Sequence, residues 1–189
     1  MIHFCLNITV GMFMDLVRFI RCLMHIPIAS RDRSTHSLDE ANKILSDAGC
    51  DLTICTVTNL HNKVLQHPVL DVFRLFNHWE AWPLSSFFAC LSKDGHVLVY
   101  RWLKLFPIVK MVLKERKEGS YIIYDLNWGI GKGGFHSFLF HDEGEQSRVS
   151  IYTTFAPTKL FLEWMHDHVN EAIFRTAHKK LLVNNRSHT

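Results

Sequence analysis

Residues 157–183 read PTKLFLEWMHDHVNEAIFRTAHKKLLV, and no glycine or proline follows Pro157 in this run. Thr158 is suited to begin a helix, because its hydroxyl can accept a hydrogen bond from a backbone N–H of the first turn. Such a helix is about 37 Å long at 1.5 Å per residue, which is enough to cross a small domain. At about 100° per residue, one of its faces carries a mainly apolar stripe: Phe161, Met165, His168, Val169, Ala172 and Thr176.

The region between Gly95 and the long helix alternates apolar and polar residues with a period of two, which is typical of strands. The connections between the alternating runs have the length of hairpin turns, so an antiparallel meander is predicted. Such a sheet has an apolar face that must be covered, and the long C-terminal helix can cover it. The predicted strands are His96–Leu103, Ile108–Glu115, Tyr121–Trp128, Phe135–His141 and Arg148–Phe155.

Two shorter helices and a strand are predicted upstream. Residues 37–40 have the Ser-x-x-Glu spacing of a capping box, and Gly49 is suited to end the helix that follows. Asp51–Thr58 alternates with a period of two and contains several β-branched residues, which predicts a strand. Pro68 can open a second helix, before Pro83 interrupts the pattern. Its apolar arc consists of Val69, Val72, Phe73, Leu75 and Phe76.

Composition limits the classes of protein to which this chain can belong. Of its 189 residues, 48% are hydrophobic and 21% are charged, which is typical of a globular domain rather than a disordered chain. The net charge of +3 is too small, and the basic residues too scattered, for a nucleic-acid-binding surface, so no nucleic-acid partner is predicted. Five cysteines occur singly, without a Cys-x-x-Cys pair, which favours reduced thiols. We therefore expect a cytoplasmic protein.

The first 29 residues are strongly apolar but do not predict a membrane span. Charges at Asp15, Arg18 and Arg21 interrupt them, and the uncharged run Met1–Met14 is too short to cross a bilayer. An amphipathic helix over Phe13–Met24, packed on the domain, is the simplest interpretation. Peripheral membrane contact through residues 1–29 and an organelle-targeting leader remain alternatives.

The sequence does not contain the common motifs of cofactor, metal or nucleophile sites in a setting where they could function. Gly129, Gly131 and Gly134 match the letters of a dinucleotide fingerprint, but a period-two strand follows them where that site needs a helix. His166 and His168 would point about 200° apart on a helix and so could not share a metal ion. No nucleophile elbow is present. We therefore predict no cofactor and no metal.

Three stretches together resemble the helix-grip proteins of the START-like superfamily, which includes polyketide cyclase/dehydratase-type, lipid-transfer and coenzyme Q-binding proteins. They are residues 68–83, which end in a tryptophan-proline turn, residues 134–149, and the helix after Pro157. The resemblance implies an α+β domain in which a curved antiparallel sheet wraps around the long C-terminal helix and leaves an apolar cavity. The resemblance covers roughly residues 51–183, so we predict a domain over residues 50–184. An N-terminal helical extension over residues 1–49, for which the family has no counterpart, and a disordered tail over residues 185–189 are predicted beside it.

A cavity of this kind suggests binding or transport of a hydrophobic small molecule, such as a lipid, a quinone or a polyketide-like compound. The inward strand faces and the helix stripe then supply its ligand-binding residues: Val109, Met111, Leu113, Tyr124, Trp128, His136, Phe138, Phe140, Phe161, Met165 and His168. The alternative is a cyclase/dehydratase-like enzyme that uses His136, Tyr124 or His168 for acid–base chemistry. The sequence favours binding. It leaves open whether a reaction is catalysed, and whether these side chains simply fill the core.

Phe174 and Leu181 fall opposite the predicted apolar stripe of the long helix. Because exposed side chains of this size are unfavourable, we expect the helix over Phe13–Met24 or a second subunit of a homodimer to cover them. A protein-interaction module that uses the N-terminal extension or the Trp79–Trp82 turn as its contact surface is the third functional alternative.

Overall fold

The computed structural model describes residues 31–55, 57–78, 82, 89–94, 97–102, 106–127, 133–155 and 160–186. The predictions for residues 1–29 and for most of the Trp79–Trp82 turn lie outside this part of the chain. The helices of the described part are α1 (Thr35–Asp47), α2 (Val69–Phe76) and α3 (Leu160–Arg186). Its strands are β1 (Val57–Leu65), β2 (Ala89–Asp94), β3 (Val97–Trp102), β4 (Phe106–Lys117), β5 (Tyr121–Asn127), β6 (Gly134–Asp142) and β7 (Ser147–Phe155).

The strands form one antiparallel sheet in the order β1-β7-β6-β5-β4-β3-β2. The predicted meander is confirmed from β3 to β7, and β2 extends it by a strand that the sequence pattern did not reveal. Register shifts interrupt β2, β3 and β4, and irregularities of this kind bend strands and increase their twist. The first strand pairs with the last, which brings β1 beside the start of α3.

Each face of the sheet has its own apolar core. On the inner face, α2 and α3 pack on side chains that include Leu126, Phe138 and Ile151. On the outer face, Ala41 and Leu45 of α1 pack on residues of β1, β5, β6 and β7. The α+β helix-grip architecture is therefore confirmed, and α1 covers the side of the sheet that faces away from α3.

The prediction of a strand over Asp51–Thr58 is wrong. Leu52–Ile54 forms a single 3-10 turn, because the carboxylate of Asp51 accepts hydrogen bonds from both the N–H and the hydroxyl of Thr53, at 3.0 and 2.6 Å. The strand lies further on, over Val57–Leu65, mostly beyond the predicted range. Its inner face carries the polar residues Asn59 and His61, so it does not show the apolar alternation by which strands are recognised.

Helix α1 begins earlier than the capping-box spacing predicted. Its cap is Ser34, whose hydroxyl accepts a hydrogen bond from the backbone N–H of Ser37 at 3.3 Å. The predicted stop is confirmed, since Gly49 follows the helix with φ of 70°, a conformation that glycine adopts without strain. Helix α2 begins after Pro68 as predicted and buries Val72, Phe73 and Phe76.

The predicted apolar face of the long helix is also wrong. Of the predicted stripe, Val169, Ala172 and Thr176 are only half-buried, and the side chains of the other three residues lie outside the described part. Among the described side chains of α3, the buried ones lie nearly opposite: Asp167, Asn170, Ile173, Phe174, Ala177 and Leu181. Asp167 and Asn170 are polar residues on the buried side, so they made that side look solvent-exposed. Phe174 and Leu181 belong to the inner core, and neither a second subunit nor the N-terminal segment is needed to cover them.

Candidate functional site

A row of polar side chains crosses the inner face of the sheet. Asn59 on β1 lies opposite Thr153 on β7. Thr153 in turn lies opposite His136 on β6, and His136 lies opposite Tyr124 on β5. Directly opposed residues of antiparallel strands point to the same side of a sheet. These four side chains, the polar row, are 0%, 0%, 4% and 6% exposed, respectively. Four buried polar side chains thus lie in one line across the inner face.

The surroundings of the polar row are apolar and aromatic. The next row along the same face consists of Ile151, Phe138 and Ile122, all buried. Phe138 packs edge-on against His136 with ring centroids 4.9 Å apart, and against Phe76 of α2 at 5.2 Å. The site therefore combines aromatic contact area with a few oriented hydrogen-bonding groups, as ligand pockets in proteins do.

His136 and Thr153 hold each other within the polar row. His136 Nδ1 lies 2.9 Å from the hydroxyl oxygen of Thr153, and both side chains are buried. A threonine hydroxyl can donate to an unprotonated ring nitrogen or accept from a protonated one. This contact fixes the orientation of the imidazole, whose other side faces Tyr124 of the neighbouring strand by register.

Asp167 on α3 is the centre of a buried ion-pair network at the edge of the sheet. Its carboxylate accepts from Arg31 Nη2 at 2.7 Å and from Arg31 Nε at 3.0 Å, and it lies 3.1 Å from His61 Nε2 on β1. Burial alone would raise the pKa of Asp167, but the hydrogen bonds from His61 and Arg31 together outweigh it and hold the pKa below its usual value. The network keeps the carboxylate ionised and fastens α3 to β1.

The segment before α1 places Arg31 in this network. The backbone N–H of Asp32 donates to the carbonyl of Leu60 at 2.7 Å, and the Asn62 amide donates to the Asp32 carboxylate. Residues 31–32 therefore lie along the free edge of β1. Arg31 extends from there to Asp167, with a quarter of its side chain exposed.

Two buried carboxamides have no hydrogen-bond partner among the residues that the structure describes. Asn59 on β1 and Asn170 on α3 are both 0% exposed, and within the described residues neither the amide nitrogen nor the oxygen of either side chain forms a hydrogen bond. A buried polar group without a partner costs about 1–3 kcal/mol, and native proteins contain few of them. Asn59 lies two residues before His61, and Asn170 one helical turn after Asp167. The two amides thus flank the His61–Asp167 contact, one on each element.

Six of the residues predicted to line the interior do face it: Met111, Leu113, Tyr124, His136, Phe138 and Phe140. The side chains of Val109, Phe161, Met165 and His168, and the whole of Trp128, lie outside the described part of the structure. The sequence analysis missed the residues that meet around α3 and β1, namely Arg31, Asn59, His61, Thr153, Asp167 and Asn170. The spacing of Asn59 and His61, two residues apart beside a strand signal, could have indicated a shared face.

A cleft lies on the outer side of the sheet, against α1. It has a volume of about 480 Å³ and is lined by Asn42, Lys43, Ser46, Leu52, Cys55, Thr58, Tyr152 and Thr154. The hydroxyl of Tyr152 donates to Asn42 across it. Because Tyr152 and Thr154 point away from the inner face, this cleft is separate from the polar row.

Among the helices of the described residues, none is long and apolar enough to span a membrane.

Comparison with known proteins supports the fold. No family model matches the chain, and no curated protein matches it in sequence. Solved structures with a similar fold include a protein of Chromobacterium violaceum, with 14% identity and a TM-score of 0.52 over 66% of this chain and 96% of that one. Ara h 8.0201 aligns with 12% identity and a TM-score of 0.51 over 67% of this chain and 98% of its own. A START superfamily protein from Mycobacterium smegmatis aligns with 9% identity and a TM-score of 0.50 over 65% of this chain and 95% of its own. The chain therefore has the START-like helix-grip fold.

Proposed function

We propose that this protein binds a predominantly apolar small molecule between the inner face of its sheet and α3. The observation that carries the proposal is the polar row from Asn59 to Tyr124, which lies buried among aromatic and aliphatic side chains. Side chains that only filled a core would not require four hydrogen-bonding groups in one line. A ligand of mixed character would bury its apolar surface against the rings and direct its polar atoms to this row.

The energetic logic of such binding is general. Burial of apolar surface contributes about 25 cal/mol per Å², so a mainly apolar molecule gains affinity from contact area alone. Polar groups placed at defined points of the pocket add orientation and selectivity rather than most of the affinity. The likeness in fold to a START superfamily protein is consistent with this function.

Titration with Nile red, a neutral dye whose emission rises in apolar surroundings, tests the proposal. We expect saturation at one dye molecule per chain. Ala177→Phe adds a ring on the buried side of α3 and should abolish this uptake, whereas Leu182→Phe, at an exposed position of the same helix, should leave it unchanged. Circular dichroism verifies that each variant is folded, and Ala177→Val replaces Ala177→Phe if the larger residue prevents folding. A lack of saturable uptake, or equal uptake by both variants, would contradict an interior site.

A cyclase- or dehydratase-like enzyme is the second candidate. It is favoured by the oriented imidazole of His136, held at 2.9 Å by Thr153 and directly opposite Tyr124. An imidazole and a phenol at adjacent positions could move protons to and from a bound substrate. His136→Gln should abolish turnover in an enzyme but leave Nile red uptake unchanged in a carrier. Thr153→Val should change only the orientation of the imidazole and hence reduce turnover partly.

A further inference from the structure

We infer that the ligand of this interior is electrically neutral and carries a group that both donates and accepts hydrogen bonds, such as a carboxamide, a lactam or a hydroxyl, which Asn59 and Asn170 recognise. This inference rests on the proposed function and specifies its ligand class. Its starting point is the pair of fully buried carboxamides without partners in the described structure.

The chemistry of the carboxamide determines the kind of ligand group that fits. Each asparagine offers two N–H donors and one carbonyl acceptor. A group that only accepts, such as an ether or a ketone, would satisfy the nitrogen atoms and leave both oxygen atoms unpaired. A carboxamide, a lactam or a hydroxyl can satisfy a donor and an acceptor together. Asn59 and Asn170 lie on opposite elements, so such a ligand would also bridge β1 and α3.

The charges of the interior favour a neutral group over a carboxylate. Among the described residues, Asp167 is the buried carboxylate, and Arg31 is the guanidinium that reaches it. Arg31 Nε and Nη2 both donate to Asp167, so the guanidinium offsets the charge of this carboxylate. A ligand carboxylate would bring a further negative charge close to Asp167, and the described residues include no buried lysine or arginine to pair with it. Burial of a charge without a counter-charge is strongly unfavourable.

A matched pair of probes tests the inference. Decanamide and decanoate have the same alkyl chain and differ only in the head group, and each is used to displace Nile red from the purified full-length protein at pH 8. We expect decanamide to displace the dye at a concentration at least tenfold lower than decanoate. Equal displacement, or stronger displacement by decanoate, would overturn the inference and leave the proposed function standing. A lack of Nile red uptake would instead overturn the proposed function.

Leucine variants identify the residues responsible. Asn59→Leu and Asn170→Leu keep a similar shape and remove the polar atoms, so each should reduce the preference for decanamide about tenfold, while the melting temperature stays the same or rises. Asn127→Leu, at an exposed position at the end of β5, is the matched control. It should change neither the preference for decanamide nor the melting temperature. If Asn59→Leu and Asn170→Leu lower the melting temperature and keep the full preference for decanamide, the carboxamides serve the fold alone and the inference is wrong.

Discussion

Arg31 and Asp167 lie 136 residues apart in the chain, and their side chains form an ion pair with Nη2–Oδ2 and Nε–Oδ1 distances of 2.7 and 3.0 Å. The same carboxylate contacts His61 at 3.1 Å. One buried group thereby connects the segment before α1, the first strand and the last helix.

Replacement of Arg31 by methionine should destabilise the protein. The substitution leaves the Asp167 carboxylate buried without its guanidinium partner, and breaking a buried pair in this way costs about 3–5 kcal/mol. Since Arg31 is a quarter exposed, we expect a loss near 3 kcal/mol in the free energy of unfolding, measured with urea. Arg33→Met, at an exposed neighbouring position, is the control and should change this free energy by less than about 0.5 kcal/mol.

The double variant Arg31→Met/Asp167→Asn provides a further test of the ion pair. Asparagine removes the unpaired charge that Arg31→Met would leave behind, so the double variant should be more stable than the single variant Arg31→Met. If Arg31→Met is as stable as the unmodified protein, the ion pair does not stabilise the fold.

Stability should also decline in acid because of Asp167. The pKa of this carboxyl is lower in the folded protein than in the unfolded chain, where it is about 3.9. Its contribution is therefore fully present above about pH 5, and is lost as the pH falls through the unfolded and then the folded pKa. We expect a steeper loss of unfolding free energy between about pH 5 and pH 2 in the unmodified protein than in Asp167→Asn. Identical slopes would show that Asp167 does not contribute.

Truncation of Leu45 tests whether α1 belongs to the folded unit. Leu45 is fully buried between α1 and the outer face of the sheet. Leu45→Ala should lower the free energy of unfolding by about 3 kcal/mol, within the range of fully buried leucines. Leu182→Ala, at a position that is half exposed, should cost less than about 0.5 kcal/mol. The separation of residues 1–49 from the domain remains a prediction, and a negligible effect of Leu45→Ala would support it.

The two cysteines near α1 should differ in reactivity. Burial raises the pKa of the Cys50 thiol to about 11, whereas Cys55 lies partly exposed at the outer cleft. The thiolate is the reactive form, so Cys55 should be alkylated by N-ethylmaleimide at pH 7.5 at least tenfold faster than Cys50. Peptide mapping by mass spectrometry measures both rates, and the denatured protein, in which both thiols react alike, is the control. Equal rates in the native protein would contradict this assignment.

Sequence patterns were sufficient where the apolar residues of an element are buried and its polar residues are exposed. The strands from β3 to β7 alternate apolar and polar residues, and α2 carries its apolar residues on one arc, so their positions could be predicted to within a few residues. The inward orientation of Tyr124, His136 and Phe138 followed from the same alternation. Patterns failed where polar residues are buried, as at Asn59 and His61 of β1.

The sequence by itself determined the antiparallel sheet, the long C-terminal helix and the aromatic inner face, because each depends on a local period of side chains. Only the tertiary structure decided which side of α3 is buried and which polar groups meet beneath it. Asp167 is tolerated on that side because Arg31 and His61, distant in the chain, contact its carboxylate. Burial of a polar residue depends on its partners in space, and no local pattern encodes those partners.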